Sequence, residues 1–247
     1  MLQIDLKNLP TTDELPDSDD TPVDNEDQNL LPNILLFLLK AIWAQRMDWY
    51  FGVDMAVYHT TGNNPRIPVV PDAFLSIGVE RKKGGKSRKS YAVWEEAEVV
   101  PIMVLEMVSQ TPRGEYGTKM NIYAKLGVLY YVVYNPEYWQ QSQHQPFEVY
   151  KLTGGKYQLQ KGEPYWMPEV GLGIGRSQVM FDRELQEQLA WFDVKGDRYL
   201  TAEERAADER QRADTERQRA EAERRRREQL EAFLRSQGFD PDRLPED

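Results

Sequence analysis

Two short apolar segments, each carrying a single acid, constrain the fold of this chain more than any other feature. Asp72 lies in the run 69–77 and Glu106 in the run 101–109. An acid inside a buried strand is costly unless a cation pairs with it. Two such acids at the ends of adjacent strands would form a site for a hard divalent cation such as Mg²⁺. The simpler alternative places Asp72 in a turn after Pro71 and Glu106 on the surface of an edge strand.

Hydrophobic periodicity and turn residues predict the elements around these two segments. In chain order they are a helix from Asp27 or Asn29 through Trp43 with Pro32 in its first turn, a strand over 53–57, the two acid-bearing strands, a helix over 115–126 stopped by Gly127, a strand over 128–134 and a hairpin over 147–159. Residues 163–200 are less regular. They suggest a loop or bulged strand at 171–175 and a hairpin around Gly196.

Composition leaves carboxylates, lysine, serine and tyrosine to carry any chemistry. Cysteine is absent, which excludes disulfides and thiolate sites. His59 and His144 lie far apart, in no metal-ligand spacing, and are interpreted as ordinary surface or strand residues. The longest apolar run, residues 34–39, is too short to cross a membrane, and the acidic N-terminus has no signal-peptide pattern. We therefore expect a cytoplasmic protein.

The distribution of charge is more informative than its sum. A net charge of −10 argues against a general nucleic-acid coat protein. Residues 81–89, however, contain six cations and no acid. Lying in sequence between the two acid-bearing strands, this basic loop is expected to project near the site and contact phosphate, or else only to increase solubility. The candidate nucleic-acid contacts in it are Lys82, Lys83, Lys86, Arg88 and Lys89.

Several motifs in this order resemble a known family. They are Pro71-Asp72, the segment 91–96, the segment 104–111, Gly114-Glu115-Tyr116, Lys119 and the segment 123–136. Together they resemble the cyanobacterial Uma-type family of putative restriction endonucleases, within the PD-(D/E)xK nuclease superfamily, over residues 24–236. The resemblance implies an α/β fold with a restriction-endonuclease-like mixed sheet flanked by helices.

The resemblance also implies metal-dependent cleavage of DNA. Asp72 and Glu106 would be catalytic residues that hold Mg²⁺, or Mn²⁺ in its place, together with the carbonyl of Met107. The bound ion would polarise the scissile phosphate and activate a water. A lysine beside that water would stabilise the developing charge.

The chain departs from the superfamily pattern at two positions. The lysine of (D/E)xK would fall at Val108, which carries no charge, and Gly117 stands where the resembling family often has Asp. Lys119 is the candidate substitute for the missing lysine, although it also fits an exposed helix surface beside Glu115. A catalytically inactive nuclease-fold protein that binds DNA or serves in assembly is therefore the alternative function.

The predicted organisation has four parts. Residues 1–28 form an acidic flexible arm, 29–200 the restriction-endonuclease-like domain, 201–236 a charged solvent-exposed helix and 237–247 a tail. The helix is stabilised by Glu–Arg pairs four residues apart. Ala206, Ala213 and Ala220 make a weak heptad pattern, which leaves a coiled coil, and with it a homodimer, open.

Overall fold

A computed structural model of the protein describes residues 8–16, 26–109, 114–181 and 184–238. Two compact units are present, Met1–Tyr199 and Leu200–Asp247. The strands are β1 (Trp49–Val53), β2 (Val57–Tyr58), β3 (Ala73–Ile77), β4 (Tyr91–Ala92), β5 (Met103–Met107), β6 (Tyr130–Tyr134), β7 (Phe147–Thr153), β8 (Lys156–Leu159), β9 (Tyr165–Met167), β10 (Leu172–Phe181) and β11 (Glu184–Phe192). The helices are α1 (Glu26–Ile42), α2 (Thr118–Leu126), α3 (Trp139–Ser142) and α4 (Ala202–Ser236), with a 3₁₀ turn at Val93–Glu95.

A six-stranded mixed sheet forms the centre of the first unit, in the order β1-β3-β5-β6-β7-β8. Strands β5 and β6 are parallel and the other neighbours are antiparallel. The parallel pair needs a crossover, which α2 supplies between Met107 and Tyr130. The predicted α/β fold with a mixed sheet and helices is confirmed.

Each face of this sheet has its own apolar cluster, because successive residues of a strand point to opposite sides. Leu105 faces the side that also contains buried residues of α1 and of the second sheet. Val104 and Val108 face the other side, together with Tyr123 and Leu126 of α2. Glu106 alternates with Leu105 and therefore lies on the α2 side.

Helix α1 begins earlier than predicted. It starts by Glu26, so Pro32 lies well inside the helix rather than in its first turn. The missing N–H of Pro32 costs one intrahelical hydrogen bond. Burial of Leu31, Leu35 and Leu39 against the sheet offsets that loss.

The acid-bearing segments form shorter strands than predicted. The run 69–77 gives only β3, because Pro71 has no N–H for a ladder, and Val69 instead bridges Val57. The strand predicted over 53–57 is replaced by β1, which ends at Val53, and by the short β2. Gly127 ends α2 as predicted, with a left-handed φ of 93° and its N–H bonded to the carbonyl of Tyr123.

A second sheet was not predicted from the sequence. Strands β9, β10 and β11 form a three-stranded antiparallel sheet, in which β10 pairs with β11 over its full register from Gly173 to Phe181. The glycines that suggested a loop at 171–175 lie mostly inside β10. Gly175 fits there because an added Cβ would approach the Cα of Pro164 to 2.9 Å.

Residues 8–16 pack against the domain, whereas the sequence predicted a flexible arm. The Trp94 indole N–H donates to the Pro10 carbonyl at 3.0 Å, and the Tyr58 hydroxyl donates to the Pro16 carbonyl at 2.6 Å. Leu15 is buried. The predictions for residues 1–7, 17–25 and 239–247 lie outside the described residues.

The second unit consists of α4 and short flanking segments. Thr201 and Glu204 form a reciprocal capping box at its start. Ion pairs four residues apart follow along the helix, such as Arg217–Glu221 and Arg227–Glu231. None of its described residues is buried, as the charged composition predicts.

Candidate active site

The two predicted acids come together at one end of the central sheet. Antiparallel pairing of Ala73 with Leu105 places the preceding residue, Asp72, opposite Glu106. Asp72 lies just before β3 and its Oδ2 accepts a hydrogen bond from the Met107 N–H at 2.6 Å. Glu106 is buried on the central strand β5, which excludes an exposed edge strand, whereas Asp72 lies in a bend between Pro71 and β3, as the simpler alternative has it.

Glu106 is fully buried and each of its carboxylate oxygens has a donor. Lys119 Nζ lies 2.7 Å from Oε2, and the Tyr123 hydroxyl donates to Oε1 at 2.7 Å. A buried carboxylate requires this kind of compensation. Since an ionised carboxylate oxygen can accept more than one hydrogen bond or ligand, these contacts leave coordination capacity.

Helix α2 brings both donors to Glu106. Lys119 is in its first turn and Tyr123 is four residues later, so the two side chains lie on one face of the helix. The Lys119 side chain is 21% exposed, and its Nζ also lies 3.3 Å from the carbonyl oxygen of Val70. The sequence analysis missed Tyr123, although its spacing from Lys119 was a usable signal.

Burial dominates the electrostatics of the two acids. It raises the pKa of Asp72 to about 6, against the opposing effects of the Met107 N–H and of Lys119. It raises the pKa of Glu106 to about 8, with Lys119 opposing and Asp72 adding to the increase. Burial acts to lower the pKa of Lys119, but the attraction and hydrogen bond of Glu106, together with the charges of Asp72 and Glu115, outweigh it and the net change is upward. Two adjacent acids, one buried and one partly buried, whose pKa values are raised in this way favour a bound cation.

The oxygen donors match the preferences of Mg²⁺, although the set is small. Among the residues that the structure describes, no group of three or more His, Cys, Asp and Glu side chains is arranged to hold a metal. Mg²⁺ is commonly bound through one or two carboxylates, with waters and substrate phosphates completing its shell. A set as small as Asp72, Glu106 and the carbonyl of Met107 is compatible with this mode of binding.

The two departures from the superfamily pattern have clear structural counterparts. Val108 is buried in the apolar cluster beneath α2, and its N–H donates to the Tyr134 carbonyl at 2.8 Å. The only direct cationic contact to Glu106 among the described residues is Lys119. Gly117 is the N-cap of α2 and supplies no side-chain hydrogen bond to the helix.

The basic loop is largely engaged within the protein. The Arg88 side chain is 2% exposed and forms a two-point ion pair with Glu96, at 2.9 and 2.8 Å. Lys83 bonds Glu95 at 2.8 Å, and Lys89 pairs with Asp13 at 3.0 Å. Arg88 is thus a structural residue, and we do not include it among the phosphate contacts.

The position of the loop also differs from the prediction. The chain passes Asp72, runs through the five residues of β3 and only then enters the loop. At about 3.4 Å per residue, the loop begins about 17 Å from the carboxylate end of the strand. Lys82 and Lys86 remain candidates for contact with more distant parts of a long substrate.

These observations define a mixed α/β protein with an acidic site and one lysine at the ends of two adjacent central strands. A sequence model of the Uma2 family, described as putative restriction endonuclease, matches residues 20–179. The match spans more than half of the chain, and the protein therefore belongs to the Uma2 family.

Other comparisons add less. A solved structure described as a putative nuclease belonging to DUF820, from Anabaena variabilis ATCC 29413, is 13% identical, covers 65% of this chain and 89% of that chain, and has a TM-score of 0.43. A likeness this distant supports no functional conclusion. No curated protein matches the chain. Within the described residues, no helix is both long enough and apolar enough to span a membrane.

Proposed function

We propose that the protein is a divalent-metal-dependent endonuclease that hydrolyses phosphodiester bonds in DNA. The observation that carries the proposal is the convergence of Asp72, Glu106 and Lys119, with Lys119 Nζ 2.7 Å from Glu106. Family membership supports nuclease activity. Mg²⁺, or Mn²⁺ in its place, is the proposed cofactor, held by Asp72, Glu106 and the Met107 carbonyl.

Different residues of the chain would bind the metal ion and stabilise the charge of the transition state. A divalent ion held by Asp72, Glu106 and the Met107 carbonyl would lower the pKa of a bound water and polarise the scissile phosphate. Asp72 is oriented by the Met107 N–H, and Glu106 by Tyr123 and Lys119. Lys119 places a positive charge where negative charge develops in the transition state, and the partial burial of the site strengthens that interaction.

The exposed cations of the basic loop would bind the DNA substrate. Lys82 and Lys86 would contact backbone phosphates away from the cleavage site. Lys89 would do so only if its ion pair with Asp13 broke. A homodimer formed through the weak heptad of α4, and a cytoplasmic setting, stay predictions.

The alternative is a nuclease-fold protein that binds DNA without cutting it. The uncharged Val108 and Gly117 favour it, because each removes a polar group that the superfamily pattern contains. The difference between the two functions is cleavage itself.

A plasmid assay separates these outcomes. Supercoiled DNA is incubated with protein in Mg²⁺, in Mn²⁺ and in EDTA, alongside the near-isosteric variant Glu106→Gln purified in the same way. We expect nicking or linearisation only with metal and only by the wild type. Binding without cleavage would establish the alternative, and equal cleavage by Glu106→Gln would exclude this site.

A further inference from the structure

A second polar cluster lies on the same face of the sheet as Glu106. It consists of Tyr116, which precedes α2, His144, which follows α3, and Glu148 of β7. The rings of Tyr116 and His144 are stacked face to face, with centroids 3.5 Å apart and planes inclined by 3°. The family resemblance assigns no function to His144 or Glu148.

The sheet register fixes where this cluster stands relative to the active site. Glu106 pairs with Val133 on β6, and Val133 pairs with Glu148 on β7. Paired residues on neighbouring strands point to the same face, so Glu106 and Glu148 both face the α2 side. Two strand spacings separate their backbones by about 10 Å, or about three nucleotides of a stacked strand.

Aromatic pairs prefer offset or edge-to-face contacts to a parallel sandwich. Hydrogen bonds hold Tyr116 and His144 in the less favoured sandwich. His144 Nδ1 lies 3.2 Å from Glu148 Oε2, and the Tyr150 hydroxyl donates to the same oxygen at 3.0 Å. On the tyrosine side, Asn135 Nδ2 donates to the Tyr116 hydroxyl at 3.4 Å. Glu148 and Asn135 are buried, so the support beneath the rings is built into the fold.

The rings themselves remain accessible. The His144 side chain is 30% exposed and Tyr116 is half-buried. A planar ligand that reached the pair would meet an aromatic surface that is already ordered.

We propose that Tyr116 and His144 form a stacking platform for an unpaired nucleobase of the substrate, two or three nucleotides from the scissile phosphate. Every nucleobase has a flat π-face, so the platform would hold a strand without reading its sequence. The inference rests on the proposed nuclease function and adds a positioning site to it. His144 would orient the substrate and would not take part in bond cleavage.

An abasic scan tests the platform without requiring cleavage. Binding of short fluorescein-labelled single-stranded DNA is measured with Ca²⁺ in place of Mg²⁺, using an intact strand and strands with one abasic position each. For the wild type, one abasic position should weaken binding by about fivefold to a hundredfold, the usual worth of one stacked base. In His144→Ala, the intact strand should bind as weakly as that abasic strand, and the abasic position should cause no further loss.

Two further variants distinguish loss of the stacking platform from a general loss of structure. Gln141→Ala changes a neighbouring exposed side chain of α3 and should bind every strand as the wild type does. Tyr116→Leu removes the supporting ring and should reproduce the loss of the abasic penalty. In cleavage assays, His144→Ala should raise KM while leaving kcat close to the wild-type value, as expected for uniform loss of substrate binding.

Two results would overturn the platform. An abasic penalty that persists unchanged in His144→Ala would show that the base stacks elsewhere. Weaker binding of all strands by one common factor would assign His144 to the phosphate backbone instead. Failure of the wild type to cleave plasmid DNA with Mg²⁺ or Mn²⁺ would overturn the proposed function, whereas normal cleavage with an unchanged penalty would overturn the platform alone.

Discussion

Lys119 is the residue on which the catalytic account depends most. Its Nζ contacts a fully buried carboxylate at 2.7 Å, and we propose that it replaces the lysine that the superfamily pattern carries on the strand. We expect Lys119→Ala to lower kcat by at least about a hundredfold, because the transition state loses its positive charge. Titration with Mn²⁺ should show that the variant still binds metal.

The same helix provides the control for this experiment. Lys125 is exposed on another face of α2, and Lys125→Ala removes an equal charge from the same element. It should retain wild-type kcat. Equal activity of both variants and the wild type would return Lys119 to a purely structural role.

The raised pKa of Asp72 predicts how the metal-free protein responds to pH. Its pKa is about 6, above the ordinary value of 3.8, so the folded state favours the neutral acid. The stability of the wild type relative to Asp72→Asn should therefore fall as pH rises from about 4 to about 6. Thermal midpoints of both proteins in EDTA across this range measure the difference.

Subtracting the Asp72→Asn midpoint removes the titration of the acids that do not interact with Asp72; Glu106, which does interact with it, titrates above the range compared. Asparagine can still accept the Met107 N–H, so the hydrogen bond at that position is retained. A difference that grows with pH would mean that Asp72 is stabilised as a carboxylate without metal.

At the residue scale, the sequence identified the acids but not most of their partners. Asp72 and Glu106 could be found because each interrupts an apolar run. Tyr123, Tyr116 and His144 could not be found that way, since an aromatic residue near a strand usually belongs to the core. Arg88 was assigned to the surface because its buried partner, Glu96, gave no local signal.

At the scale of elements, the C-terminus of α2 gives the sharpest prediction. Gly127 holds a φ of 93°, and an added Cβ would meet no atom within 4 Å. Gly127→Ala should lower the free energy of unfolding by about 1 kcal/mol, because alanine is strained in this conformation without any clash. Chemical denaturation measures the change.

Asparagine tests the cause. It tolerates the left-handed conformation better than alanine, so Gly127→Asn should lose less stability. Equal losses in both variants would argue that the effect does not come from backbone conformation.

Strands next to strong turn signals were the elements that the sequence predicted best. The hairpin of β7 and β8 follows from Gly154-Gly155, both with positive φ. The sheet of β9 to β11 was missed because its glycines resemble loop residues. The close approach of Gly175 to Pro164, which explains one of them, is a tertiary contact. The predicted start of α1 lay too far along the chain, because Pro32 was interpreted as a residue of the first helical turn.

For the whole molecule, the division into two units predicts independent stability. The first unit contains both apolar clusters of the central sheet, and no described residue of α4 is buried. Deleting residues 201–247 should change the thermal midpoint of the remaining protein by no more than about 2 °C, as expected when none of the described residues removed is buried. Loss of the cooperative transition would show that the helix completes the core.

The central claim is that Asp72 and Glu106 hold a divalent metal ion, and Mn²⁺ binding tests it most directly. Free Mn²⁺ is followed by electron paramagnetic resonance during titration of the wild type and of Glu106→Gln, which keeps the size of the side chain and removes its charge. The account predicts a single class of site in the wild type and at least tenfold weaker binding in the variant. Equal binding by the two proteins would contradict it.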